Sequence, residues 1–292
     1  MSARTATIGM LREWIEEWYP PSLAETWDRV GLVVGNPEAS VKKVLLAVDP
    51  VQDTVDEAIR FGADLLLTHH PLYLRGVSFL PETDPKGSLV ARLIRANCGL
   101  YNAHTNADRA TPGVAEALAK HLGLKQIRPL HPDADDSSCG ELRLGQIDPI
   151  RLADFAKIVA SCLPQGPTGV LVGGNLDQLV ETVVVCGGAG DSFLDECRRV
   201  GADVYVTADL RHHPASECLE HQQMGLICGS HWATEWLWLP VLAEQLRERA
   251  CLEAVDLEVV VSRHVTEPWR LHLETTGDTA EILAETLENP QG

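Results

Sequence analysis

Three stretches of the 292-residue sequence carry side chains of the kind that hold divalent metal ions. Thr68-His69-His70-Pro71 closes one apolar run, while His104-Thr-Asn-Ala-Asp108 and His231-Trp-Ala-Thr-Glu235 both read His-x-x-x-carboxylate after strand-like runs. Imidazoles mixed with carboxylates suit Zn²⁺, Fe²⁺, Mn²⁺, Co²⁺ or Ni²⁺ without choosing among them. If a tetrad lies on a helix, residues i and i+4 share a face, so His231 and Glu235 can share an ion. Pro71 restricts His70 to an extended backbone, which predicts that the two adjacent imidazoles point to different sides and suit two ions better than one. Alone, an HH dipeptide reads as structural and a single tetrad as an ordinary polar helix start. Two tetrads at corresponding places, with HHP between strands, favour a metal site.

Other residues are weaker candidates. Asp209 and His212-His213 follow another apolar run, where they read either as a divergent copy without ligands or as groups that orient ligands or move protons. Gly187-Gly188-Ala189-Gly190 stands between a strand and a helix, where it can cradle an anion or allow close packing. The G-x-x-x-x-G-K-[ST] and G-x-S-x-G patterns are absent. Trp232, Trp236 and Trp238 read as core at their spacing, with stacking on a base as the alternative. The eight cysteines lack C-x-x-C spacing and read as reduced, small apolar residues.

These residues need a frame that brings them together. Ile8, Leu11, Trp14, Ile15 and Trp18 recur at helical spacing until Pro20-Pro21. From residue 41, strand, helix and strand follow with short connections, a βαβ unit with a parallel pair buried on both faces. The HHP group then falls at a strand C-terminus, where α/β sheets open their ligand crevices. A helix near 88–97, the strand GLYNAH and the helix PGVAEALAKHLGL complete a first half. Residues 180–207 align without gaps on 41–68, with nine of 28 positions identical, which predicts an internal duplication. The acidic loop HPDADDSSCG marks the join, giving halves 1–130 and 131–292, with a weakly helical, frayed tail from about 275. The helix RLADFAKIVASCL and the short strand GVLVGG belong to the second half.

Composition limits the classes of function. The chain has 24 Lys and Arg against 42 Asp and Glu, a formal charge of −18. That balance gives no general attraction for a nucleic-acid backbone. No run of 18 apolar residues predicts a membrane span, and the first residues do not read as a secretory signal, so a cytoplasmic protein is expected.

Taken together, WDRVGLVVG, KKVLLAVD, GADLLLTHHP, YNAHTNAD, VVVCGGAGD, GADVYVTADLRHH and GSHWATE resemble, in content and order, the NIF-three-like family of dinuclear-metal proteins. Members are often labelled GTP cyclohydrolase I type 2 homologues, and the resemblance runs from about residue 8 to 270. It implies that His69, His70, Asp108, His231 and Glu235 hold two divalent ions, with Glu235 as the bridge. His104 would stand beside the metals and His213 would face the same cavity; both are the candidate catalytic residues. The implied fold is two related, intertwined α/β halves with mainly parallel central sheets, assembled as a toroidal homohexamer whose sites face an internal cavity. Thr207-Ala208-Asp209 departs from the family's TGD, and 141–179 is too short for the domain inserted in some relatives.

These ligands would leave coordination positions open, as catalytic rather than structural sites do. The resulting expectation is metal-assisted hydrolysis of a small molecule of the nucleotide or phosphoester type, with His104 or His213 moving the proton. The alternative is a protein that binds and delivers metal through partners without turnover; a third reading makes the ions assembly staples.

Overall fold

The protein is described by a computed structural model covering residues 4–277. The tail expected to be weakly helical lies, from residue 278 on, outside the described residues.

The chain begins with β1 (Ala6–Thr7), α1 (Ile8–Trp18), β2 (Gly31–Val34), β3 (Ser40–Val41) and β4 (Lys43–Ala47). Next come α2 (Gln52–Phe61), β5 (Leu65–Thr68), α3 (Pro85–Arg95), β6 (Gly99–Asn102), α4 (Thr105–Arg109) and α5 (Val114–His121). The hairpin β7 (Lys125–Pro132) and β8 (Gly140–Arg151) leads to α6 (Leu152–Cys162), β9 (Leu171–Gly173) and β10 (Leu179–Ala189). After α7 (Leu194–Arg199), β11 (Val204–Ala208), α8 (His212–Glu220) and β12 (Gly225–Gly229), the described part closes with α9 (His231–Trp236), α10 (Trp238–Leu252) and β13 (Glu258–Val261).

Besides the short antiparallel pair β1–β3, two larger mixed sheets result. The first has the order β13-β4-β5-β6-β2, parallel except for β2. The second has the order β7-β8-β10-β11-β12-β9, with β10, β11 and β12 parallel and the others antiparallel to their neighbours. β4, β5 and β11 are short, continuous apolar runs because helices cover both of their faces. Alternate residues sort between the faces. Val44, Leu46, Leu65 and Leu67 pack under α1 and α10, whereas Leu45, Leu66 and Leu100 meet Val55 and Ala58 of α2 and Leu93 of α3. In the second sheet, Val183, Val185, Val204 and Val206 face Leu118 of α5 and Phe155 of α6. Full burial of one such side chain contributes about 1.5–3 kcal/mol.

Local signals set the helix ends. Thr7 caps α1 by accepting a hydrogen bond from the Met10 amide at 3.2 Å, and α2 ends at Gly62 in the left-handed region, φ 70°. Asp84 caps α3, whose first residue is Pro85.

The matched segments 41–68 and 180–207 occupy equivalent places. The orders β4-β5-β6-β2 and β10-β11-β12-β9 agree in strand direction, although a six-residue helix, α7, stands where the first half has the ten-residue α2. The halves interlock: residue 130 lies inside β7, and α10 and β13 return to pack on the first sheet. The acidic join is the turn of the β7–β8 hairpin. No helix among the described residues is long and apolar enough to cross a membrane.

Candidate metal centre

The C-terminal ends of the two sheets' parallel strands face each other, and the chemistry-bearing residues collect between them. Asp49 follows β4, His69 and His70 follow β5, His104 follows β6, Asp209 follows β11, and His231 follows β12. His104 is the N-cap residue of α4, and Asp108 lies one turn further on. His231 opens α9, capped by Ser230, whose hydroxyl accepts from the Ala233 amide at 3.1 Å. The predicted i, i+4 pairing holds, with His231 Nε2 3.0 Å from Glu235 Oε1.

Glu235 is the hub. Its side chain is 4% exposed, with Oε1 3.5 Å from His69 Nε2 and Oε2 3.1 Å from His70 Nε2. His69 Nε2 also lies 3.7 Å from Asp108. The two adjacent imidazoles therefore do not diverge as expected. Their ring centroids are 5.0 Å apart and both approach one carboxylate, because β5 ends at Thr68 and the strict alternation of a strand no longer applies.

Each imidazole is anchored from behind. His70 Nδ1 donates to Asp49 Oδ1 at 2.7 Å, His231 Nδ1 to Asp209 Oδ2 at 2.7 Å, and His69 Nδ1 to the Ala103 carbonyl at 2.9 Å. His104 Nδ1 lies 3.0 Å from Asp28 Oδ1. With Nδ1 donating, a neutral ring presents its Nε2 lone pair, the arrangement that carboxylate and carbonyl partners impose on metal-binding histidines. Asp209 holds this position with a left-handed backbone, φ 52°, unusual for a residue other than glycine.

Electrostatics follow from the crowding. Burial works against charge on His70 and His231, but Glu235, with Asp49 beside His70 and Asp209 beside His231, outweighs it and pushes them up to about 10 and about 11. His69 is raised likewise, against its burial, by Glu235 and Asp108. Burial raises the Asp108 carboxyl. It also opposes the Glu235 charge, yet the three histidines hold that carboxyl well below its ordinary range. For Asp28, His104 and Thr105 overcome burial and lower it.

The donor set fits divalent cations. His69 Nε2 and Glu235 Oε2 are buried without a hydrogen-bond partner, and His70 Nε2 and His231 Nε2 face each other at 3.3 Å. Two lone pairs at that distance need a proton or a cation between them. Two groups, His69-His70-His104 and His70-His231-Glu235, each bring their ligand atoms within 4.8 Å of one another.

A cavity of about 440 Å³ opens beside the cluster, lined among others by Trp27, His104, Asp108, Arg109, Phe193 and Glu235. Arg109 is held by Glu25 at 2.9 Å, Glu141 at 3.1 Å and Asp133 at 3.3 Å, so its charge is largely spent within the wall. Gly187 and Ala189 line the cavity, and Gly188 between them packs against the cluster. Its φ is +64°, and a Cβ there would come within 2.3 Å of Glu235 Oε1 and 3.0 Å of His231 Nε2. The Gly188 amide donates to Thr234 Oγ1 at 3.0 Å, so the glycine loop serves close approach rather than anion binding.

All five expected ligands and His104 thus meet at one place. His213 does not: it is exposed on α8, edge-on to His212, and lines neither cavity that touches the cluster, because α8 starts beyond the strand end and its first turn faces solvent. Trp232 and Trp238 are core, as expected, and Trp236 is partly buried with its indole donating to the Ser262 carbonyl at 2.8 Å. The sequence reading assigned no role to Asp49, Asp28, Thr266 or Glu267. Asp49 carried a usable signal, being the first polar residue after the apolar run of β4, as His69 is after β5. Asp28, Thr266 and Glu267 lie in irregular segments and carry none.

The fold and site define an α/β protein with a buried histidine–carboxylate cluster of metal-binding type at the facing edges of two sheets. A family model described as Duf34/NIF3 (NGG1p interacting factor 3) matches residues 6–268, and the chain belongs to that family. A Streptomyces coelicolor protein named GTP cyclohydrolase 1 type 2 homolog is 47% identical over 263 residues, 89% of this chain and 92% of that one. A Mycobacterium tuberculosis protein of the same name is 32% identical over an alignment of 387 residues, longer than this chain, covering 96% of it and 100% of the relative. The mycobacterial protein therefore carries residues that this one lacks. Among solved structures, Staphylococcus aureus hypothetical protein SA1388 superposes with a TM-score of 0.85 at 27% identity, covering 92% of this chain and all of that one.

Proposed function

We propose that the protein binds two divalent metal ions and hydrolyses a small molecule of the nucleotide or phosphoester type, the kind of reaction that its relatives' name, GTP cyclohydrolase 1 type 2 homolog, suggests. The observation that carries this reading is Glu235, a buried carboxylate in the wall of a cavity whose two oxygens are approached by imidazole nitrogens at 3.0–3.5 Å, Oε2 without forming a hydrogen bond. His69, His70, Asp108, His231 and Glu235 would hold the ions. Bound divalent ions supply Lewis acidity to a carbonyl or phosphoryl oxygen and ready water for attack near neutral pH.

The chain's own residues do the rest. Asp49, Asp209 and the Ala103 carbonyl fix the rings of His70, His231 and His69. Trp27, Leu142 and Phe193 give the cavity apolar walls that exclude water from the reacting group. His104 faces the cavity with Asp28 behind its Nδ1, an arrangement suited to taking and returning a proton. His213 has no part in the reaction within one chain. A cytoplasmic homohexamer with its sites facing a common cavity completes the proposal; sedimentation equilibrium showing only monomer would refute the assembly.

The test quantifies metal in the purified protein and in Glu235→Gln and His104→Ala, and assays each against GTP and a phosphoester panel. The expected result is two ions and turnover in the wild type, loss of metal in Glu235→Gln, and metal without turnover in His104→Ala. Absence of bound ions even after reconstitution would refute the site. Ready metal exchange with no turnover of any substrate would replace hydrolysis by metal delivery.

A further inference from the structure

The cluster is the partition between two cavities. His70 and His231 line the cavity of about 440 Å³ that also contains Trp27, Arg109 and Phe193, and the same two residues line a second of about 260 Å³. The second is bounded by Asp49 and Asp209, by Trp232, and by the segment Thr266-Glu267-Pro268-Trp269 that follows β13. The larger one meets the face of the cluster bearing Asp108, His104 and Glu235; the smaller one meets the face bearing the carboxylates behind the imidazoles.

Both are lined by carboxylates, but they differ in size, in apolar wall and in the presence of a cationic side chain. The smaller cavity has three carboxylates, Asp49, Asp209 and Glu267, and no Lys or Arg among its lining residues. It is below the roughly 300–1,000 Å³ of pockets that hold organic ligands. At roughly 30 Å³ per water, a divalent ion with six waters needs about 180 Å³, which it can accommodate. The larger cavity falls in the organic-ligand range; it combines apolar walls from Trp27, Leu142 and Phe193 with four carboxylates, Glu25, Asp108, Glu141 and Glu235, of which Glu25 and Glu141 neutralise Arg109.

The segment behind the smaller cavity is built in. Glu267 is 4% exposed and accepts from the Ser230 hydroxyl and, at 3.1 Å, from the Trp232 amide at the start of α9. The Thr266 hydroxyl donates to Asp49 Oδ2. The rim, by contrast, is open: Trp269 is 66% exposed and the Asp209 side chain 58%.

We infer that the smaller cavity is the passage by which hydrated divalent cations reach and leave the cluster, so that metal and organic ligand approach it from opposite faces. The inference rests on the proposed metal site and adds the direction of access. A cation crossing the smaller, carboxylate-lined side can exchange waters for protein oxygens before it meets the imidazoles, while an organic ligand is turned away there by size. Charge at the rim of the smaller cavity should then set the rate of metal uptake, and charge at the rim of the larger one should not.

The experiment uses the full chain, stripped of metal and mixed with Co²⁺ in a stopped-flow instrument, uptake being read from the visible absorbance of the bound ion. Four variants place either charge at each rim: Trp269→Glu and Trp269→Lys at the smaller cavity, Trp27→Glu and Trp27→Lys at the larger, where Trp27 is 56% exposed. The expected association rate is about tenfold higher for Trp269→Glu than for Trp269→Lys at low ionic strength. The difference should collapse near 1 M salt, where the screening length is about 3 Å. The Trp27 pair should differ by clearly less than the Trp269 pair. A Trp27 ratio equal to or above the Trp269 ratio, with Co²⁺ still bound, overturns the passage and leaves the proposed metal site standing. Failure of wild-type protein to bind Co²⁺ overturns both, and equilibrium metal analysis of the same preparation identifies that case.

Discussion

Asp49→Ala tests whether the carboxylates behind the imidazoles prepare the cluster for metal. Asp49 Oδ1 accepts from His70 Nδ1 at 2.7 Å, and the next nitrogen of that ring lies 3.1 Å from Glu235 Oε2. Removing the carboxylate frees the ring to rotate and withdraws the charge that makes Nε2 a better donor. Partners of this kind contribute about 10- to 100-fold to metal affinity, or about 1.4–2.7 kcal/mol. Asp49→Asn separates the two contributions. Its carbonyl oxygen can still accept from Nδ1, so the ring stays oriented and only the charge is lost. Affinity for Zn²⁺, measured by competition with a chromophoric chelator, should fall about tenfold in Asp49→Asn and about 100-fold in Asp49→Ala. Asp148→Ala is the control, since that side chain is 90% exposed and pairs only with Lys125 in the β7–β8 region. Thermal unfolding of the metal-free variants verifies that they fold. Wild-type affinity in a folded Asp49→Ala protein would refute the reasoning, as would equal losses in Asp49→Ala and Asp148→Ala.

Three further outcomes are expected. In metal-free protein His70 and His231 are raised to about 10 and about 11, so the pair holds proton charge at pH 7 that a binding ion must displace. Calorimetric titrations in buffers of different ionisation enthalpy should therefore show net proton release; a heat independent of buffer would contradict it. Gly188→Ala should lose metal and stability together, whereas Gly123→Ala, also at positive φ but with nothing within 4 Å of the new Cβ, should show only the backbone cost of about 1–2 kcal/mol in urea unfolding. Equal behaviour of the two variants would show that Gly188 does not abut the cluster. All eight cysteines are free; burial pushes Cys98 up to about 12, while Cys251 is exposed. Ellman's reagent should modify Cys251 rapidly and Cys98 only on unfolding, and mass-mapped labelling of native Cys98 at the rate of Cys251 would refute its burial.

Much of the candidate site is legible because its candidate ligands come as local pairs. HH is a dipeptide, and a His-x-x-x-carboxylate tetrad brings its two side chains together where the backbone turns helical, as His231 and Glu235 do at 3.0 Å. The residues behind them are not legible in the same way. Asp28 meets His104 across 76 positions and Asp49 meets His70 across 21, and nothing in a periodic pattern encodes a contact between separate loops. The twist of His69 and His70 toward one carboxylate was likewise invisible, since it depends on β5 stopping at Thr68. His213 shows the converse: a good residue type, next to a strand end, that the start of α8 carries into solvent.

The sequence by itself determined the two classes of structure and the ligand types. Apolar runs such as Leu65–Leu67 must be buried on both faces, and histidine and carboxylate at their ends are suited to divalent ions. Tertiary structure alone decided that the two sheets meet C-terminal edge to C-terminal edge, that α10 and β13 return to the first sheet, and that the hairpin β7–β8 belongs to the second. It also decided that Glu235, from the second half, becomes the shared partner of His69 and His70 from the first. The physical reason is range: backbone periodicity and capping act over a few residues, whereas the close contact of His70 with His231 joins positions 161 apart and forms only when both cores have packed.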